Sequence, residues 1–388
     1  MSVVQKFCLL ASLLSFPLIA PAELQVGPSS QSLAAVQGHY SGLFYETNGI
    51  VHQHAGYFSI DLARDGWLSG FAFVGGDFFW IHRDFSQTPV WNDGHVKFAL
   101  SRGSFFYWRQ FYTVELQFDL TGETDQVTGT LDNSHRDNNG DRISATWTAS
   151  AFGDRDTFTS RTNPAPQAGT YTLVIPGGDG VNEPAGAGFA TVRVDSGGTI
   201  RMNGLLADGT PFFQSTTLAK DGRWPLYTSL YGGRGSLIGW LSFADAEDSD
   251  LAGTLLWTRP RDSWAFSYRN GFTNQVEAIG SRFIANRNLG QALGFTNGVA
   301  TFSDGGLDAP VEDTFQITSS GKIINTSGNR FTLSFTSSQG LFRGAFAESP
   351  FSRGLVFRGA YLQKQSKGYG YFFGDNGQSG LVTLEPEP

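Results

Sequence analysis

The side chains able to do chemistry are few and unevenly placed. All six histidines lie between His39 and His135. His52 and His54 stand two residues apart. On a β-strand that spacing puts both imidazoles on one face, as in an H-x-H metal pair, with His82 or His95 able to complete a zinc site. A solvated turn after Asn48-Gly49 is the competing reading. Asp137-Asn138-Asn139-Gly140-Asp141 looks like part of a calcium loop, with Asp137 and Asp141 as carboxylate ligands. Its glycine is misplaced, however, and Thr148 stands where an EF-hand has its bidentate acid. A solvated hairpin loop explains the same residues. Asp245-Ala246-Glu247-Asp248-Ser249-Asp250 is a second acidic cluster with the same two readings.

Aromatic residues form the third group. Phe78-Phe79-Trp80, then Phe85 and Trp91, then Phe105-Phe106-Tyr107-Trp108 with Phe111-Tyr112 are dense. Consecutive aromatics on a strand point to both faces, so some of Phe78, Phe79 and Trp80 face away from a one-sided core. They are either buried on both sides, between sheets or units, or they form an exposed platform. In the second case Phe78, Trp80, Trp91, Tyr107 and Trp108 would hold a glycan or an apolar ligand. Enzyme signatures are mostly negative. There is no G-x-S-x-G, H-E-x-x-H or G-x-x-x-x-G-K-[ST] motif, and no histidine follows His135. After Gly368-Tyr369-Gly370 the third glycine, Gly374, comes one residue late for a dinucleotide turn. Paired carboxylates for glycoside hydrolysis stay open, because the fold sets their spacing. The balance favours a non-enzymatic protein with no resident cofactor, calcium or zinc at the sites above being the exceptions.

The elements that must position these residues are β-strands. Of 388 residues 49 are glycine, about twice the usual ~7%. Aromatic residues make up 14% and charged residues only 16%. Coiled coils and helical bundles need far more Glu, Lys, Ala and Leu, and aromatics at this density give a core enough surface to bury. A net charge of −8 without a basic stripe disfavours nucleic acid and polybasic membrane anchoring. Lys6, the apolar run from Phe7 to Ala20 and the A-x-A site Ala20-Pro21-Ala22 read as a signal peptide over 1–22. The protein is therefore expected to be secreted, to the extracellular space, the periplasm or the outer cell surface. The only cysteine, Cys8, lies in that leader, so the mature chain is held together without disulfides. No later segment reaches the ~18 apolar residues of a spanning helix. An outer-membrane β-barrel stays open, since its strands are short and alternating.

Repeats organise the rest. Gly38-His39-Tyr40-Ser41-Gly42-Leu43-Phe44 returns as Gly169-Thr170-Tyr171-Thr172-Leu173-Val174, a glycine followed by a strand whose aromatic faces inward. Gly56 to Gly70, Gly188 to Gly204 and Phe331 to Gly344 each read as a strand, a tight polar-Gly turn and a second strand with an internal glycine. That pattern is a β-hairpin whose inner glycine marks a bulge or bend. Val127-Thr128-Gly129-Thr130-Leu131 and Leu251-Ala252-Gly253-Thr254-Leu255 form a repeated closing strand. The chain divides into an N-terminal arm (23–37), a first β unit (38–160), a Pro-containing linker (161–168), a second β unit (169–262) and a third (270–385). All nine Trp precede the third unit, whose core must be filled differently. The fold class is all-β, with three related antiparallel units, each a small barrel or strongly curled sheet.

Several segments resemble a family of secreted bacterial β-repeat regions of planctomycete and verrucomicrobial proteins. They are Gly42-Leu43-Phe44, Ala168-Gly169-Thr170-Tyr171-Thr172-Leu173, Leu206-Ala207-Asp208-Gly209-Thr210 and Lys220-Asp221-Gly222-Arg223-Trp224-Pro225-Leu226-Tyr227. Others are Leu230-Tyr231-Gly232-Gly233, Gly235-Ser236-Leu237-Ile238-Gly239-Trp240, Leu362-Gln363-Lys364-Gln365, Gly368-Tyr369-Gly370-Tyr371-Phe372 and Gln378-Ser379-Gly380. In that family such regions often end long surface proteins with immunoglobulin-like modules. The resemblance implies a surface role and brings no activity and no catalytic residues. The expected function is thus a cell-surface or matrix binding or structural module, with a cell-envelope glycan or surface protein as partner. The alternatives are a metal-dependent hydrolase using His52, His54 and a carboxylate, and the outer-membrane barrel.

Overall fold

The structure, a computed structural model, describes residues 30–83, 87, 89–90, 93–102, 109–121, 123–136, 142–178, 180, 182–349 and 352–388. The leader 1–22 falls outside them. In the first unit a short helix α1 (Ser30–Val36) precedes β1 (Gly38–Tyr45), β2 (Gly56–Leu62), β3 (Leu68–Val74), β4 (Asp77–Ile81), β5 (His95–Arg102), β6 (Arg109–Phe118), β7 (Gln126–Asp132), β8 (His135–Arg136), β9 (Arg142–Ile143) and β10 (Thr148–Arg155). The second holds β11 (Gly169–Ile175), β12 (Gly188–Val194), β13 (Thr199–Leu205), β14 (Pro211–Thr217), β15 (Arg223–Leu230), β16 (Gly235–Phe243), β17 (Leu251–Arg259) and β18 (Phe272–Arg282). The third holds α2 (Leu289–Leu293), β19 (Asn297–Asp304), β20 (Val311–Ile317), β21 (Ile323–Asn325), β22 (Thr332–Thr336), β23 (Leu341–Phe346), β24 (Leu355–Leu362), β25 (Lys367–Phe373) and β26 (Ser379–Pro386).

These strands build three eight-stranded antiparallel sheets, ordered β4-β3-β2-β1-β10-β7-β6-β5, β14-β13-β12-β11-β18-β17-β16-β15 and β21-β20-β19-β26-β25-β24-β23-β22. Each sheet is a meander closed by pairing its first strand with its last, and its two edge strands are consecutive in the chain. Each therefore curls into a nearly closed barrel with a seam between those edges. The first two units split four and four about the closing pair, the third three and five. In the second unit side chains stitch the seam. Gln214 Nε2 donates to Pro225 O (2.8 Å), Trp224 Nε1 to Gln214 Oε1 (2.9 Å) and Thr228 Oγ1 to Phe213 O (2.8 Å). Pro225 sits on this edge strand, where its missing N–H costs no ladder bond.

Alternation fills the barrels. On β12 and β13, Val192, Val194, Ile200 and Met202 are buried while Arg193, Arg201 and Asn203 face out. The internal glycines serve close approach: a Cβ on Gly204 would lie 2.4 Å from Phe189 O, and one on Gly344 1.9 Å from Thr332 O. Both strands keep continuous register there, so of the expected bulge or bend it is the bend that forms, a tight in-register curl. The third core is phenylalanine-rich, with Phe302 stacked on Phe346 at 3.7 Å.

The strand Phe272–Arg282 falls within the span 270–385 expected for the third unit, yet its ladders with β11 and β17 place it in the second sheet. Pairing across more than a hundred residues leaves no local mark near Pro260. The N-terminal arm also differs from expectation, because Ser30–Val36 is helical and plugs Leu33 and Val36 into the first core. The repeated Gly-x-Tyr motif explains itself here. Tyr40 donates to Val36 O (2.6 Å) and Tyr171 to Gln167 O (2.7 Å), each tying the incoming segment to its own barrel. The linker residue Ala165 is buried in the second core. In the third unit α2 is the plug, and Tyr361 of β24 supplies the hydroxyl, donating to Leu293 O.

Candidate functional site

The units dock through their outer faces. Between the first and second, Leu43, Ala55, Tyr57, Tyr227 and Ile238 form a shared buried cluster. Around it Arg223 pairs with Asp154 (2.9 Å), Lys220 with Asp125 (2.8 Å), and Tyr57 with Thr216 (2.9 Å). The Arg223 guanidinium also lies over the Phe152 ring. Burial pushes the Asp154 carboxyl up to about 6 against the pull of Arg223. Between the second and third units, Thr172 Oγ1 donates to Tyr361 O (2.7 Å) and Ala187 N to Gly370 O (3.0 Å). Lys364 reaches into the acidic cluster Asp245–Asp250, 3.0 Å from Asp250 and against Asp245. An ammonium thus occupies the place where a cation was considered.

The histidine pair comes apart. His52 and His54 lie on a 3-10 turn rather than a strand, so two residues of separation no longer bring them to one face. His52 is buried at the unit junction, donating from Nε2 to Gly233 O (3.1 Å) and accepting at Nδ1 from Ser236 Oγ (2.9 Å). Burial lowers its pKa from the ordinary histidine value. His54 points elsewhere, 2.8 Å from Glu46 and stacked on Trp147 at 4.4 Å. It lines a pocket of about 260 Å³ with Tyr112, Asn133, His135 and Trp147. Among the described residues no three His, Cys, Asp or Glu side chains converge to hold a metal ion. Asp137 and Asp141 lie outside the described residues.

The aromatic group is split by the pleat as the alternation rule requires. On β4, Phe79 and Ile81 enter the first core while Phe78 and Trp80 point outward. On β3, Phe71 and Phe73 share that outer face and sit opposite Trp80 and Phe78. Phe78 packs against Phe71 (5.6 Å), Phe73 (5.3 Å) and Trp80 (4.8 Å), and Phe73 against Tyr227 of the second unit (5.7 Å). One aromatic surface therefore runs from the buried junction out to Trp80, which is 66% exposed. Across the junction from Phe71 and Phe73, β14 contributes Phe213, 76% exposed. Between the two units lies a groove of about 230 Å³ lined by Tyr57, Phe71, Phe73, Phe213, Gln214 and Tyr227 among others. The Tyr227 hydroxyl is buried beside the Gly76 amide without a well-directed partner, and burial raises its pKa.

Of the aromatics singled out from the sequence, Phe79 is buried in the first core, Phe78 is half-buried against Phe71 and Phe73, and Trp80 is exposed. Trp91, Tyr107 and Trp108 lie outside the described residues. Phe213 was not singled out from the sequence, although Phe212-Phe213 on a strand carries the same two-face signal. Trp264 and Phe266, 94% and 80% exposed, form another unforeseen aromatic tip.

Beyond the geometry, comparison with known proteins adds little. No protein-family model matches the chain, and no curated protein matches it. A solved structure of a protein of unknown function from the DUF3598 family of Nostoc punctiforme is similar at 9% identity, with a TM-score of 0.20, over 92% of this chain and 96% of that one.

Proposed function

We propose that the protein is a non-enzymatic binding module of the cell exterior whose groove between the first two barrels takes a glycan chain. The observation that carries this is the aromatic lining of the groove, Tyr57, Phe71 and Phe73 with the exposed Phe213, continued beyond the groove by Phe78 and the exposed Trp80. Large exposed rings in one patch mark interaction sites. The flat C–H face of a sugar stacks on such rings, while Ser215 and Ser229 along the groove supply hydrogen bonds to its hydroxyls. An open groove suits a ligand that extends beyond it at both ends. The leader pattern at 1–22 supports secretion. Apolar residues turned into the barrels and charges turned out favour this reading over a membrane-spanning barrel, which needs an outward apolar band. No helix among the described residues is long and apolar enough to cross a membrane.

The test is a screen of the purified mature protein against cell-envelope fractions and an array of polysaccharides. Binding is expected to at least one polysaccharide and to drop about tenfold in Trp80→Ala, the loss of one stacking contact of ~1.5 kcal/mol. Unchanged binding in Trp80→Ala and in Phe213→Ala defeats the reading.

A further inference from the structure

Between the second and third barrels lies a larger cleft, of about 750 Å³, within the range of sites that enclose small ligands. Its floor is apolar and shared by both units: Val174, Ala187 and Ile279 from the second, Tyr369 and Leu381 from the third. Its rim is polar, formed by Glu183, Asp304, Gln365 and Gln378, with Ser379 buried beneath. The walls are fixed to each other by Ala187 N donating to Gly370 O (3.0 Å) and by the Tyr268 and Ser379 hydroxyls (3.1 Å apart).

The lining chemistry selects the ligand. Among the described residues no Lys, Arg or His lines the cleft, so phosphates and carboxylates find no counter-charge from them. The two carboxylates accept hydrogen bonds only, while the two amides both donate and accept. Tyr369 donates to Gln365 Oε1 (3.1 Å), which fixes that amide and leaves its N–H groups to donate. Vicinal hydroxyls match acceptors and donors set side by side, and the C–H face of a sugar ring matches the floor of Ile279, Tyr369 and Leu381.

We propose that this cleft is a second carbohydrate site, taking a neutral oligosaccharide end between the second and third barrels. It stands on different residues from the aromatic groove and does not depend on that reading. If both are occupied, one chain carries two saccharide sites on a fixed frame, and a polysaccharide spanning them binds with avidity beyond either site alone.

The experiment titrates the mature protein calorimetrically with cellotetraose, maltotetraose and chitotetraose, and with spermidine as a cationic control. The variants are Gln365→Ala, the exposed Gln378→Ala, and Trp80→Ala at the other site, each checked for an unchanged melting temperature. The proposal expects one tetrasaccharide to bind, binding to fall at least tenfold in Gln365→Ala or Gln378→Ala, and Trp80→Ala to leave that binding in place. It is overturned if no tetrasaccharide binds, if only spermidine binds, or if the cleft variants bind as the parent does. Tetrasaccharide binding abolished by Trp80→Ala alone overturns the cleft and leaves the groove standing.

Discussion

Asp154 offers a quantitative test of how the first two barrels are joined. Its side chain is 9% exposed and pairs with Arg223 at 2.9 Å, yet its second oxygen finds no partner. Burial therefore outweighs the ion pair, and the carboxyl titrates at about 6 rather than 3.8. A shift of about two units corresponds to ~3 kcal/mol at most, and ~2 kcal/mol is a fair expectation once residual solvent access is allowed for. The folded value lies above the unfolded one. This group's contribution is thus complete below about pH 4 and is lost as pH rises through about 6. Asp154→Asn keeps the shape and an acceptor for Arg223 but removes the titration. Urea unfolding of both proteins between pH 4 and 7.5, followed by tryptophan fluorescence, isolates the term as a difference. The parent should lose about 2 kcal/mol relative to the variant across that interval. Parallel profiles, or a parent that gains on the variant as pH rises, would show that the ion pair dominates and refute the reasoning.

Other expectations concern the same joints. Gly76 has φ +87°, and a Cβ there would lie 2.1 Å from Gly233 O of the second unit, so Gly76→Ala should cost about 2 kcal/mol or more and lower the thermal midpoint. Thr172→Val removes the buried bond to Tyr361 O and should weaken the joint between the second and third units by about 1 kcal/mol, read as a lower urea midpoint with an unchanged slope. Gln365→Ala and Gln378→Ala should each lower tetrasaccharide binding at least tenfold without moving either stability measure.

Individual strands and hairpins were largely legible, because alternation and turns are local; the order of the strands in each sheet was not. Alternation put Val192 inward and Arg193 outward, and glycines at Gly66, Gly198 and Gly222 take the positive φ their turns need. The split of Phe78 and Trp80 from Phe79 followed from the two-residue period alone. What stayed hidden is non-local. Nothing near Phe272 shows that β18 closes the second sheet on β11, a pairing set by the whole barrel. The H-x-H spacing misled because it presumes a strand, whereas His52–His54 makes a 3-10 turn. The junctions were equally opaque: Arg223, Lys220 and Lys364 look like ordinary surface charges until their partners on the neighbouring barrels are known. The groove and the cleft both lie between units, so neither follows from the residues of one barrel.

The most direct test of a glycan-binding groove is the affinity of the mature protein for its best polysaccharide, compared with the Trp80→Ala/Phe213→Ala double variant. Two stacking contacts of ~1 to 1.5 kcal/mol each predict a loss of roughly thirtyfold or more, with the melting temperature unchanged. Equal affinity in the two proteins would contradict the account.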